Sequence, residues 1–353
     1  VNKERTPKDY QQTRSTGSGF QPGRIVGNRR ADATGTVHRV TLRLRVDTAA
    51  WEHHVATMAA STPGLVPVIK GNGYGFGRAE LARRSATLSD TLAVGTIHEL
   101  GGVVPSTGPG SAGHGTTVVV LTPTLRPPAS TEPVLTVGSS VHLDALSDWS
   151  GRVIVKLESS MHRYGGGPEL IEAARARGLE VLGVAVHPPL AGDPVDHRGD
   201  VERWLPLVDP EIQVWISHLA SDQRALLPDT HRYRIRLGTS LWHGDKSMLR
   251  LEAQVLDIRE VAAGTPVGYR ATPVQAPGTL VMIGAGSSHG VRPLSDGRSP
   301  FHFGRRRLEL VEAPHMHTSM AVVPPGTPCP RVGEYVDVQQ PLITTQVDVI
   351  DWG

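Results

Sequence analysis

The stretch Val68-Ile69-Lys70-Gly71-Asn72-Gly73-Tyr74-Gly75-Phe76-Gly77 decides how the rest of the chain is read. A short apolar run ends in one lysine, and a glycine-rich loop with a single tyrosine follows. A lysine at the end of a strand is fixed yet reachable, and its amine condenses with an aldehyde to a Schiff base. Glycines behind it let the backbone come close to a bulky ligand. A strand ending in a solvated lysine has the same local pattern, so the surrounding chain must discriminate.

Outward from that stretch, short apolar runs alternate with helical patterns. Strands are expected at 65–69, 91–95, 117–121, 133–137, 152–158, 180–186, 212–217 and 233–237. Helices or helical turns are expected at 78–88, 97–103, 141–148, 168–177, 200–208 and 222–227. Val118-Val119-Val120-Leu121 and Val153-Ile154-Val155 are continuously apolar, as strands covered on both faces are. Eight such units predict a (β/α)8 barrel. Pro67 fits its strand poorly, because proline cannot donate to a ladder, and 122–132 reads as a proline-rich loop. Upstream, Val40 to Val46 alternates apolar and polar like a half-buried strand. Asp47-Thr48 then caps a helix running through Trp51, Val55 and Met58. After residue 245 the runs Leu249–Val255, Thr279–Ile283, Arg307–Val311, Ser319–Val323 and Val347–Ile350 are strand-like, with no helical period. The expected organisation is a disordered tail over 1–36, a barrel over 37–245 whose first strand is free to join the following domain, and a C-terminal β domain over 246–353.

Composition narrows the function classes. In 353 residues, 36 basic side chains nearly cancel 34 acidic ones, which gives no net electrostatic case for nucleic acid. The tail has a local basic excess, from Lys3, Arg5, Lys8, Arg14, Arg24, Arg29 and Arg30, and reads as solvated chain. Cys329 is the single cysteine, so neither an internal disulfide nor a cysteine-based metal cluster is expected. No apolar run is long enough for a membrane helix, and residues 1–36 lack the apolar core of a secretion signal. A soluble, cytoplasmic protein is the expectation.

Barrel enzymes carry their chemistry on loops at the C-terminal ends of the strands. Lys70 follows the first barrel strand, Met161-His162-Arg163-Tyr164-Gly165 the fifth, His187 the sixth and Ser221 the seventh. Arg236 ends the eighth, with Gly238-Thr239 behind it. Their chemistry is complementary. Lys70 can hold an aldehyde. Ser221 and the amides at Gly238 and Thr239 can bind phosphate. Arg163 and Arg236 can hold a carboxylate or a ring nitrogen.

Four motifs in this order resemble the alanine racemase family. Its lysine motif Val-Lys-Ala-Asn-Ala-Tyr-Gly-His-Gly is matched by Ile69-Lys70-Gly71-Asn72-Gly73-Tyr74-Gly75-Phe76-Gly77. Its Lys-x-Asp-Thr-Gly-Met-x-Arg-x-Gly is matched by Lys156-Leu157-Glu158-Ser159-Ser160-Met161-His162-Arg163-Tyr164-Gly165. Its Arg-x-Gly is met by Arg236-Leu237-Gly238, and its Val-Ser-Tyr-Gly by Val267-Gly268-Tyr269-Arg270. The likeness spans roughly residues 38–350. It implies a pyridoxal 5'-phosphate enzyme, a barrel with a C-terminal β domain, acting on a small amino acid as a head-to-tail homodimer.

Residue by residue, the resemblance implies that Lys70 carries the cofactor and serves as one base. Tyr269 would be the second base, on the opposite face and from the other subunit, as racemisation requires. Tyr74, Ser221, Gly238 and Thr239 would bind phosphate, His187 would lie by the ring, and Arg236 would face the pyridine nitrogen. Arg163 would position the substrate carboxylate, Met316 would line the substrate end, and Lys156 matches a lysine carbamylated in many members.

The chain also departs from the family. Gly-Tyr-Ala-Asp-Gly is replaced by the stretch Gly284-Ala285-Gly286-Ser287-Ser288-His289-Gly290, without its tyrosine. Cys (or Ser)-Met-Asp has become His315-Met316-His317, and the His-x-x-Asn-Ser motif is only loosely met by His218-Leu219-Ala220-Ser221. If His315 and His317 alternate on a strand, they face one side and could share a metal. That opens the alternative of a metal-assisted lyase, like D-serine dehydratases or D-threonine aldolases, while the loss of substrate-closing residues opens that of a non-catalytic cofactor-binding relative. With no third ligand and no Glu-Glu-His-Gly signature, no metal ligand is assigned.

Overall fold

The protein is described as a computed structural model that covers residues 41–103 and 116–353. The tail expected over 1–36 lies outside the described residues. In chain order come β1 (Leu42–Val46), helix α1 (Thr48–Ala60), β2 (Leu65–Pro67), helix α2 (Arg78–Ser85), β3 (Thr91–Val94), β4 (Thr117–Val120) and β5 (Val134–Val137). They are followed by β6 (Arg152–Lys156), β7 (Glu180–Val186), β8 (Gln213–Ile216), β9 (Tyr233–Leu237) and the long β10 (Leu249–Val261).

Strands β2 to β9 form one parallel sheet in the order β2-β9-β8-β7-β6-β5-β4-β3. Sheet order follows chain order, with β2 brought round beside β9, as in a barrel. The last seam, between β2 and β3, is held by a single parallel bridge, Val68 to Ala93. Pro67 explains this. Val68 donates its amide to Leu237 O on β9, and Ile69 donates to Ala93 O at the β3 side. Amides alternate sides along a strand, so the donor missing at Pro67 is one that would face β3. The proline that looked awkward in the sequence sits where the sheet is only just closed. Val119, Val120, Val153, Val155, Val184 and Val186 are fully buried, each contributing about 1.5–3 kcal/mol on leaving water.

β1 stands outside this barrel. It pairs antiparallel with β10, Leu42 opposite Ala253, and parallel with Val349–Trp352. In the antiparallel sheet β10 also pairs with Tyr335–Val338 and Gly278–Ile283, and the latter pairs with Ser319–Val323. A register shift between Val255 and Asp257 lies within the pairing of β10 with Gly278–Ile283, beyond the residues of β10 that meet β1. That bulge breaks the apolar pattern, so the strand expected to end at Val255 continues to Val261. The expected strand Arg307–Val311 is two short pieces, Arg306–Arg307 and Glu309–Leu310, and Tyr335–Val338 had no sequence expectation. The helix expected at 200–208 lies at Pro194–Glu202, where Asp193 caps it and Pro194 opens it.

Barrel and antiparallel sheet share an aromatic seam. Trp51 of α1 donates to Trp242 O, and Trp242 donates to Val68 O, both at 2.8 Å. The Trp51 ring lies 5.3 Å from Phe76 and 5.3 Å from Trp352, with Arg84 over both tryptophans. Among the described residues, no helix is long and apolar enough to cross a membrane. Asp47 caps α1 through the Ala50 amide at 3.0 Å. Asp47→Ala is expected to lower stability by about 1 kcal/mol, read as a shift in the urea midpoint at unchanged slope.

Candidate active site

Lys70 leaves the barrel at the β2–β3 seam. The loop behind it folds back through Gly73 N to Lys70 O, Phe76 N to Gly73 O and Gly77 N to Asn72 O. Tyr74 (φ 55°) and Gly73 (φ 65°) both take left-handed backbone. At Gly73 a Cβ would come within 2.4 Å of the Gly77 backbone, so only glycine closes this turn. The Asn72 amide donates to Leu342 O and Thr345 O, both at 2.8 Å, and ties the lysine loop to the C-terminal segment. Tyr74 is buried. Its carbonyl accepts from His243 Nε2 at 2.7 Å, which places the proton of that imidazole on Nε2. Its hydroxyl fills the space beside Gly238, 2.1 Å from where a Cβ would stand.

Cations gather behind this loop. Arg236, in β9, is 7 % exposed and donates to Val186 O at 2.9 Å. Its Nε finds no partner among the described residues. Burial holds it down to about 10, with the nearby Tyr164 opposing and Arg163 adding to the effect. It therefore keeps its charge at neutral pH. Lys156, in β6, is 3 % exposed and its Nζ also lacks a partner. Burial, then Arg236 and Arg163, bring it down to about 6. Tyr164 lies between these groups, its ring centroid 5.6 Å from Lys156 Nζ and 4.7 Å from the Arg163 guanidinium. Lys70 is lowered by the same causes in milder form: partial burial first, then Arg163 and Arg236, opposed by Glu99.

His187, after β7, is pushed far below the ordinary imidazole range by burial and by Arg236. It is neutral, and its ring lies edge-on to His218 at 4.4 Å. His218 adopts left-handed backbone, φ 59°, and burial lowers it too. Ser221 opens the short helix Ser221–Arg224 after β8, and Gly238 and Thr239 open Thr239–Trp242 after β9. First-turn amides of a helix have no partner within it, so both openings present donors at the same rim.

The structure thus brings Lys70, Tyr74, Arg163, His187, Ser221, Arg236, Gly238 and Thr239 to one end of the barrel. Tyr269 and Met316 belong to the antiparallel part. Tyr269 is 88 % exposed, at the tip of the hairpin formed by Pro266–Val267 and Thr272–Pro273. Its amide donates to Glu312 and its ring packs on His315, while neither group is a rim residue. The expectation that His315 and His317 share one face of a strand is not met. Both lie in the turn before Ser319–Val323. His315 Nε2 bonds Glu312, and His317 Nδ1 meets Ser288 Oγ at 2.9 Å. With the alternation lost, the two imidazoles turn to separate partners.

Several residues that shape the site had no functional reading in the sequence. Glu99 accepts from Gly95 N at 2.7 Å and Gly71 N at 3.2 Å, which fixes the backbone on either side of the seam. His243, Tyr164 and Glu312 belong to the same class. Their roles depend on contacts between segments far apart in the chain, and no spacing signals them.

Lys156 gives a pH test. In the unfolded chain a lysine keeps its proton up to about 10.4, whereas the folded chain gives it up above about 6. The unfolded state therefore binds more protons across that window, and stability rises with pH through it. Lys156→Met is expected to be more stable than the parent. The gain grows as pH falls from about 10 to about 6 and levels below that, as measured by urea unfolding in CO2-free buffer at several pH values.

Comparison with known proteins agrees with this architecture. A family model described as alanine racemase, N-terminal domain, matches residues 46–245. The biosynthetic alanine racemase of Pseudomonas aeruginosa is 26 % identical over 338 residues, covering 83 % of this chain and 88 % of that protein. Among solved structures, alanine racemase from Bartonella henselae with covalently bound pyridoxal phosphate superposes with a TM-score of 0.65 at 19 % identity, over 86 % of this chain and 91 % of that one. The Bacillus anthracis alanine racemase with bound L-Ala-P gives 0.66 at 18 % identity, over 89 % and 88 %. With its eight-stranded parallel barrel, its antiparallel C-terminal sheet and a family match over more than half its length, this chain belongs to the alanine racemase family.

Proposed function

We propose that this protein is a pyridoxal-phosphate-dependent amino-acid racemase of the alanine racemase type, working on a small amino acid. The observation that carries the reading is a reachable lysine with a lowered amine, set at the mouth of a barrel among fixed cations. The residues present suit the cofactor. Gly238 lets the Tyr74 hydroxyl pack directly against the backbone, beside two helix openings whose first-turn amides have no partner within the helix. Arg236 Nε and Lys156 Nζ are buried donors without hydrogen-bond partners among the described residues. Both features match an anionic, ring-bearing ligand.

Tyr74, Ser221, Gly238 and Thr239 would hold the phosphate, His187 would lie by the ring, and Arg236 would face the ring nitrogen. Because Arg236 keeps its own proton, it would leave that nitrogen unprotonated. Lys70 would carry the cofactor, which would supply an electron sink that acidifies the substrate's α-proton once the substrate's amine has taken the lysine's place. Lys70, freed in that exchange, would take or return the proton at its Nζ on one face. Its lowered amine suits this, since a base works best near the operating pH. Arg163 orients the carboxylate and Met316 lines the substrate end. Tyr269 moves the proton at its hydroxyl on the opposite face. Its place on an exposed hairpin, away from the rim of its own chain, is why we assign it to the site of a second copy in a head-to-tail homodimer. The balanced charge and the lack of a membrane-spanning helix among the described residues support a cytoplasmic enzyme.

The test is α-proton exchange in deuterated water, with the cofactor supplied and a panel of amino acids followed by NMR. Exchange with inversion is expected, and it should vanish in Lys70→Ala and Tyr269→Phe, with cofactor attachment lost in the former alone. Turnover surviving in Lys70→Ala, or no exchange on any amino acid by the loaded protein, would overturn the reading. Gly238→Ala places a methyl against the Tyr74 hydroxyl and is expected to weaken cofactor binding at least about tenfold, ~1.4 kcal/mol, in a fluorescence titration.

A further inference from the structure

The hairpin that carries Tyr269 is organised by a carboxylate from another segment. Glu312 accepts the Tyr269 amide at 3.0 Å and the Thr272 hydroxyl at 3.0 Å, and it also accepts from His315 Nε2. Its side chain is 7 % exposed, although Tyr269 stands open beside it. The His315 bond lowers its carboxyl, burial opposes this, and the Thr272, Tyr269 and Arg270 donors lower it further, so the carboxylate is ionised at neutral pH. An ionised carboxylate only accepts. The proton of His315 therefore sits on Nε2, and the ring is held in one orientation. Gly268 makes room for this arrangement, since a Cβ there would lie 2.2 Å from a Glu312 carboxylate oxygen. Left-handed backbone at Gly268 (φ 75°) and Ala271 (φ 49°) then turns the chain around Tyr269.

On the fixed imidazole rests the Tyr269 ring, centroids 4.3 Å apart and planes tilted by 36°. An exposed tyrosine on a two-strand hairpin has little else to order it. Here the backbone is tied at its amide and the ring is backed by an aromatic face. The hydroxyl is left out of both contacts and stays available to another chain. The replacement of a small Cys or Ser by a histidine at position 315 is thereby explained: it brings a ring that reaches Tyr269 and a donor that reaches Glu312.

We propose that His315, held by Glu312, is a positioning residue for the second base, presenting the Tyr269 hydroxyl to the partner's site already oriented. This rests on the racemase reading above. Proton transfer depends steeply on placement, and a misplacement of about 1 Å costs up to about a hundredfold. Each base removes the α-proton of only one enantiomer, so the two directions of racemisation report on the two bases separately.

The experiment compares the parent, His315→Ala and Glu312→Gln in two ways. In the cofactor-free protein, NMR relaxation of 13C-labelled tyrosine rings reads the order of Tyr269, assigned with Tyr269→Phe. Both variants are expected to lose ring order, and Glu312→Gln also to speed hydrogen exchange at the Tyr269 amide. In the loaded enzyme, kcat is expected to fall about tenfold with KM and cofactor absorbance unchanged. The primary isotope effect with α-deuterated substrate should rise for one enantiomer only. An unchanged ring order, or an isotope effect that moves equally in both directions, overturns the proposal while leaving a working racemase. If the parent shows no α-proton exchange, the racemase reading and this role fall together. Should His315→Ala not fold, Glu312→Gln carries both measurements.

Discussion

Positive charge at the barrel mouth, opposed there by Glu99, is the constraint on which the site depends. Lys70, Lys156, Arg163 and Arg236 influence one another there. Glu99 is the carboxylate that faces Lys70, and it is engaged by two backbone amides. Like charges in a poorly solvated space relax by losing the proton that is held least tightly. Arginine holds its proton and lysine yields. Arg236 therefore stays cationic while the Lys156 and Lys70 amines are lowered. One physical cause accounts both for a site that attracts an anion and for lysine amines held below their ordinary range.

Such a site needs walls that do not move, and these come from two parts of the chain at once. The lysine loop is closed by glycine geometry at Gly73 and tied to the C-terminal segment through Asn72. The Trp51–Phe76–Trp242–Trp352 seam packs behind it. β1 and the terminal strand Val349–Trp352 run side by side in the antiparallel sheet, so the two ends of the described fold brace the loop together. Where the barrel is thinnest, at Pro67, the neighbouring Val68–Ala93 bridge holds the seam.

The segment proposed to line the substrate end departs most from the family pattern. Histidines stand at 289, 315 and 317, and each has its own partner: Asp348 at 3.4 Å for His289, Glu312 for His315 and Ser288 for His317. A set of small and acidic positions has been exchanged for rings with defined hydrogen bonds. That exchange changes both the shape and the polarity of the surface around Tyr269.

The sequence by itself determined the barrel, because eight apolar runs alternating with helical patterns have few other ways to be buried. The strand positions 65–67, 91–94, 117–120, 134–137, 152–156, 180–186, 213–216 and 233–237 all fall within the expected runs. It also placed Lys70, Arg163, His187, Ser221 and Arg236 on one rim, because side chains at the C-terminal ends of parallel strands share an end. Bulges and turns were beyond its reach: the continuation of β10 past Val255, and the turn that separates His315 from His317. Both are set by pairing with distant strands, which local pattern does not encode. Only the tertiary structure decided that Tyr74 packs on Gly238, that Lys156 is buried without a hydrogen-bond partner among the described residues, and that Glu312 and His315 back Tyr269. Those relations join residues up to 164 positions apart, from 74 to 238, and arise only when the folded chain removes water from between them.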